Sequence, residues 1–181
     1  MSLLLVASLA FKSLAILLLA RIAWTDFSTQ RISNPAVMAL LCLGLGALQF
    51  GALQAHSWLE MGISAFGGAA LFLALFPFWL LRKVGAGDVK LMSVIPLLIG
   101  GSNLTVFSIL LLAFAVATAA LIKNPFLLPA GMFRHYVQHM DRKGVVPFGV
   151  PISAAAICAI ALQMYHAVVV ATSSGILEQL N

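Results

Sequence analysis

The sequence predicts an all-α, polytopic membrane protein of six transmembrane helices with both termini outside the cytoplasm. Three observations carry that expectation. Hydrophobic residues make up 62% of the 181 and charged residues 8%, a balance far from that of soluble domains. The apolar residues gather into six runs separated by polar connections. Nine of the ten lysines and arginines fall in alternate connections or at the run ends that border them, and so share one side of a bilayer once the runs become spans.

At about 20 apolar residues per span, the runs lie near residues 3–24, 35–53, 62–81, 89–100, 104–122 and 148–171, within a single membrane-embedded domain 1–181. The first run has no basic stretch before it and carries Lys12 in its middle, so it reads as a span and not as a cleavable signal peptide. Lys12 is expected to snorkel or to face the bundle interior. Thr25 to Asn34 reads as a short polar loop, with Asn34 as N-cap and Pro35 at the first helical position. The connection from Gln54 to Glu60 has no lysine or arginine, whereas the next one carries Arg82, Lys83 and Lys90. The fourth run is short: about a dozen residues cover only about 18 Å of a core about 30 Å thick. It must be recessed, tilted or extended by its flanks. Gly100 to Asn103 reads as a tight uncharged turn with Asn103 as a cap. The longest loop follows the fifth run and holds Lys123, Arg134, Arg142 and Lys143; Pro147-Phe148-Gly149-Val150-Pro151 then opens the last run as a turn and helix-start signal. By the positive-inside rule the basic side is the cytoplasm.

Composition also excludes several classes. The net charge of +5 arises from bases strung between apolar segments, which orientation in a bilayer explains without a nucleic-acid partner. Cys42 and Cys158 both lie inside apolar runs and form no Cys-x-x-Cys pair, so neither structural zinc nor a disulfide framework is expected. His135 and His139 have i, i+4 spacing, but with no neighbouring third ligand except Asp141 an interfacial helix is the simpler reading, and no metal or cofactor is expected.

The chemistry centres on Gly85-Ala86-Gly87-Asp88, followed by Val89-Lys90. An acid on the border of a membrane-depth segment is costly and marks a functional site by default. Gly85 and Gly87 allow another backbone to come close to Asp88, and glycine-rich backbone at that depth requires a protein-lined or wet surrounding. Asp26, at the end of the first run, falls on the same cytoplasmic face. Glu60 and Glu178 fall on the other, and Asp141 sits among bases. Two neighbouring carboxyls share a proton, so one can act as general base on a water while the other acts as acid. The bland alternatives are an N-cap role for Asp88 and a surface pair of Asp26 with Arg31. Lys90 lies about 200° round a helix from Asp88. It reads either as a snorkelling base or as a group that tunes the site or meets a substrate.

Gly85-Ala86-Gly87-Asp88-Val89-Lys90-Leu91, Asp26 with Arg31-Ile32-Ser33-Asn34, and Val146-Pro147-Phe148-Gly149 together resemble the prepilin peptidases, also called type IV leader peptidases. The resemblance implies a membrane aspartic protease of the Gly-x-Gly-Asp type with catalytic aspartates at Asp26 and Asp88, in the bacterial inner membrane. It implies removal of the short basic leader of prepilins or pseudopilins at the cytoplasmic face, usually after a glycine, with pilus-assembly machinery as a possible neighbour. Longer members carry a cytoplasmic insertion with paired Cys-x-x-Cys motifs, associated with N-methyltransferase activity. That insertion is missing here, so the chain resembles the short form that processes Flp-type pilins in tight-adherence systems. The basic loop from Arg134 to Lys143 is expected to meet anionic lipid headgroups. Two other classes fit the bare residues: a small proton or cation carrier, and a non-catalytic pilus-assembly scaffold.

Overall fold

The computed structural model describes residues 3–55, 58–124 and 147–180. Among them are six α-helices and no strand: α1 (Leu3–Thr29), α2 (Asn34–Ala55), α3 (Leu59–Leu80), α4 (Ala86–Ile99), α5 (Leu104–Lys123) and α6 (Gly149–Leu180), with a 3-10 turn at Gly101–Asn103. The basic loop, with His135, His139 and Asp141, lies outside the described residues.

Five of these helices, all but α4, are long and apolar enough to cross a membrane. Large apolar side chains such as Leu17, Phe66, Leu73, Leu112 and Val170 point outward from them, as a hydrocarbon solvent permits. The interior is built from Leu19 and Ile22 of α1, Leu40 of α2, Phe107 of α5, and Ile152, Ala155, Ala156 and Ile160 of α6, gathered round α4.

The fourth helix resolves its own length problem by position. With 14 residues it rises about 21 Å, and Val89, Leu91 and every residue from Val94 to Ile99 are buried. Helices α2, α3 and α6 pack against it, so α4 faces protein where the other five face lipid. Close approach requires small residues: a Cβ on Gly68 of α3 would lie 2.5 Å from the Ser93 carbonyl oxygen of α4.

Three local expectations are corrected. The polar stretch from Thr25 is not a loop: α1 continues to Thr29 and only residues 30–33 connect it to α2. The hydroxyls of Thr25, Ser28 and Thr29 donate to the carbonyls of Ile22 (3.0 Å), Trp24 (2.7 Å) and Thr25 (2.7 Å), which lets polar residues prolong the helix by satisfying themselves on it. Gln30, at φ 54°, ends it in the left-handed conformation usual for a helix stop. Asn34 likewise sits inside α2 and not before it; its side-chain oxygen accepts from Lys90 Nζ at 2.9 Å. Asn103 does precede α5, but its amide donates to the Ile99 carbonyl at 3.0 Å and makes no cap to α5.

Candidate active site

Three helix ends meet at the site: the last turn of α1, the first turn of α4 and the first turn of α6. The extension of α1 puts Asp26 on its inward face, where it is 5% exposed and is the one fully buried charged side chain among the described residues. A surface pairing with Arg31 is thereby ruled out as its role in the fold. The backbone N–H groups of Gly149 and Val150, at the start of α6, face its carboxylate. Gly149 has to be a glycine there, because a Cβ would lie 2.7 Å from Asp26 Oδ2. Oδ2 itself is buried with no hydrogen-bond partner. A buried carboxylate oxygen without a protein partner can accept from a group that the protein does not supply.

Asp88 is the third residue of α4, after a helix cap supplied by the extended Gly85 (φ −68°, ψ 143°). It is therefore a first-turn residue and not the cap. Its side chain folds back towards Gly85, whose amide faces it and whose missing Cβ would lie 2.9 Å from Asp88 Oδ2. Gly87 serves a different neighbour: Ile32, from the α1–α2 connection, would be 2.9 Å from a Cβ at that position. The two glycines thus leave room for the acid on one side and for the segment following Asp26 on the other.

The structure brings the two carboxyls into electrical contact. Asp88, ahead of the apolar run of α4, has its pKa raised to about 6, first by burial and then by the negative charge of Asp26, with the Gly85 amide opposing both. Such a pair holds one proton between two acids up to about pH 6. Lys90 stays apart, since its ammonium is tied to Asn34 on the α2 side, as the 200° offset from Asp88 requires. It tethers α4 to α2 and does not reach the acids. Among the described residues no three metal-ligating side chains converge.

Two cavities lie along the last turns of α1, lined by its residues on either side of Asp26 and not by Asp26 itself. One of ≈ 740 Å³ is lined by Arg21, Thr25, Arg31 and Ser33, and another of ≈ 390 Å³, between α1 and α6, by Ala20, Trp24, Phe27, Val150 and Ile157. The amides of Gly149 and Val150 are the part of the site that local sequence reasoning read only as a helix start. Their signal was the glycine held between Pro147 and Pro151, where a start needs no glycine.

A family model described as the type IV leader peptidase family matches residues 13–123. The match contains Asp26, Gly85, Gly87, Asp88 and Lys90 and stops short of α6. No curated protein and no solved structure matches the chain.

Proposed function

The chain belongs to the type IV leader peptidase family, and from that premise we propose that it is a membrane aspartic endopeptidase working through Asp26 and Asp88. The observation that carries the reading is the meeting of these two acids, from helices 62 residues apart in sequence, around a carboxylate oxygen that has no partner.

The roles follow from the surroundings. The two amides at the start of α6 offset part of the cost of burying a charge at Asp26, so the base is assigned to Asp26 and the shared proton to Asp88, whose pKa is raised to about 6. Asp26 takes a proton from a water as the water oxygen bonds to the scissile carbonyl carbon. Asp88 meanwhile donates a hydrogen bond to the carbonyl oxygen, where charge develops. Collapse of the tetrahedral intermediate breaks the C–N bond, and the leaving amine receives its proton from the dyad. Near-attack alignment within such a closed site, rather than any single group, supplies much of the acceleration.

The substrate is a leader-bearing prepilin or pseudopilin, with Flp-type pilins the best match to the short form. The apolar groove between α1 and α6, bordered by Phe27 and Val150 beside Asp26, offers the hydrophobic segment after the leader an approach from the lipid. In this reading the basic side is the cytoplasm, α4 is a sixth, enclosed span, and the protein resides in the bacterial inner membrane. A carrier would place its acids near mid-membrane, and these lie at one end of the bundle.

Co-expression with a Flp-type prepilin tests the proposal, with the new N-terminus read by mass spectrometry. Cleavage by the wild type and by neither Asp26→Asn nor Asp88→Asn, each inserted at wild-type level, is the expected result. Cleavage by both variants at the wild-type rate removes the aspartates from the chemistry.

A further inference from the structure

A cavity with several polar side chains in its walls lies at the end of the bundle away from the dyad. It has a volume of ≈ 570 Å³ and is lined by Ser8 and Lys12 of α1, Glu60 of α3, Ser102 and Asn103 of the α4–α5 turn, and Gln163 and His166 of α6, among others. Lys12 stands 14 residues before Asp26 on the same helix, about 21 Å along its axis. The start of α3 and the α4–α5 turn mark where the helices end on that side, which is the depth of lipid headgroups.

The charge in this cavity is incompletely matched. Lys12 Nζ donates to the neutral side-chain oxygen of Gln163 at 2.9 Å. Gln163 in turn donates to the Ile99 carbonyl, so its orientation is fixed with the oxygen towards Lys12. The cavity's carboxylate is engaged elsewhere: Glu60 Oε1 accepts from the Ser102 N–H at 3.0 Å and from its hydroxyl at 2.9 Å. An ammonium has three donors, and one carried on a hydrocarbon-length helix is costly unless it is paired or wet. A cation aimed into a roomy, hydroxyl- and amide-lined cavity, with a neutral partner only, is a receptor for an anion.

We infer that this cavity binds a phosphate-type anion, held by Lys12 with His166 in the same wall; the Ser8 hydroxyl donates to the Ala47 carbonyl and the Asn103 amide to Ile99 and Ser102, so these two shape the cavity and do not hold the anion. Two sources share that chemistry, the headgroup of an anionic phospholipid and free inorganic phosphate. The inference is independent of the peptidase reading, because no residue of the dyad takes part.

The test uses purified full-length protein. Retention of phosphatidylglycerol against phosphatidylcholine is read by native mass spectrometry, and the melting shift of delipidated protein on adding inorganic phosphate is read in parallel. Preferential retention of phosphatidylglycerol by the wild type, weakened about tenfold in Lys12→Met and kept in Lys12→Arg, is expected from the loss of one charge-assisted hydrogen bond. A second variant guards against a mere folding defect. A Cβ on Gly51, which lines the cavity, meets nothing within 4 Å, so Gly51→Phe fills the space with Lys12 left in place and should weaken binding equally. Lipid retention without a phosphate shift assigns the site to headgroups, and a shift with phosphate alone assigns it to the free anion. Equal retention by wild type, Lys12→Met and Gly51→Phe, with no phosphate shift in any of them, overturns the inference and leaves Lys12 as a tie to Gln163.

Discussion

Helix α1 carries an acid near one end and a base towards the other, and the protein treats them oppositely. Asp26 is sealed off, with an aspartate beside it and the amides of α6 in front of it. Lys12 opens onto a cavity and is held by a neutral amide. Both charges are expensive at that depth, yet only one is placed next to a like-charged group. A structural charge finds a partner that lowers its cost, whereas a charge set against another of the same sign has been arranged for proton chemistry.

Substitutions at the two ends should therefore differ most in catalysis. Asp26→Asn and Asp88→Asn should each lower cleavage by about 10³-fold, the scale of a general acid or base, as measured by prepilin processing with insertion held constant. At the α6 start, Gly149→Ala should lower it by about 10²-fold, because a Cβ 2.7 Å from Asp26 Oδ2 forces a displacement of about that consequence. Gly51→Ala at the other end, where a Cβ meets nothing, is the matched control and should cleave normally.

The pH dependence of stability sharpens the contrast further. Because the folded protein holds the Asp88 proton up to about pH 6, beyond the ordinary carboxylate range, folding is most favoured below that range. It loses stability as pH rises through about 6. Asp88→Asn should thus melt above the wild type at pH 8, with the gap closing towards pH 4; a gap that stays constant across that range would remove the titration as its cause. The smallest effect is expected at Lys90, whose bond to Asn34 is exposed. Lys90→Met should change cleavage by less than about threefold, as exposed pairs contribute little.

The helices were legible because runs of apolar residues of membrane length have few other fates, and the acids were legible because charge is scarce in this chain. Several features were not. The run Thr25 to Thr29 looks like a loop by composition and becomes a helix only because its hydroxyls turn back onto carbonyls of the preceding turn. That choice buries Asp26, and no residue type announces it. Gly149 meets Asp26 across more than 120 positions, and Lys12 meets Gln163 across 151; such contacts are settled by how helices assemble, not by any window of sequence. Lys90 sits next to the acid in the chain and away from it in space, because two steps along a helix reverse the direction of a side chain.

The shortness of α4 bears on when the protein can act. A segment of 14 residues is too short to cross about 30 Å of hydrocarbon alone, and it packs against α2, α3 and α6, so its place depends on theirs. Asp88 rides on that segment, and the carboxylate of Asp26 meets the start of α6, which follows both in the chain. Until these helices have come together, the site is incomplete. Under the proposed function, the dyad works only once the bundle that holds its two halves is whole.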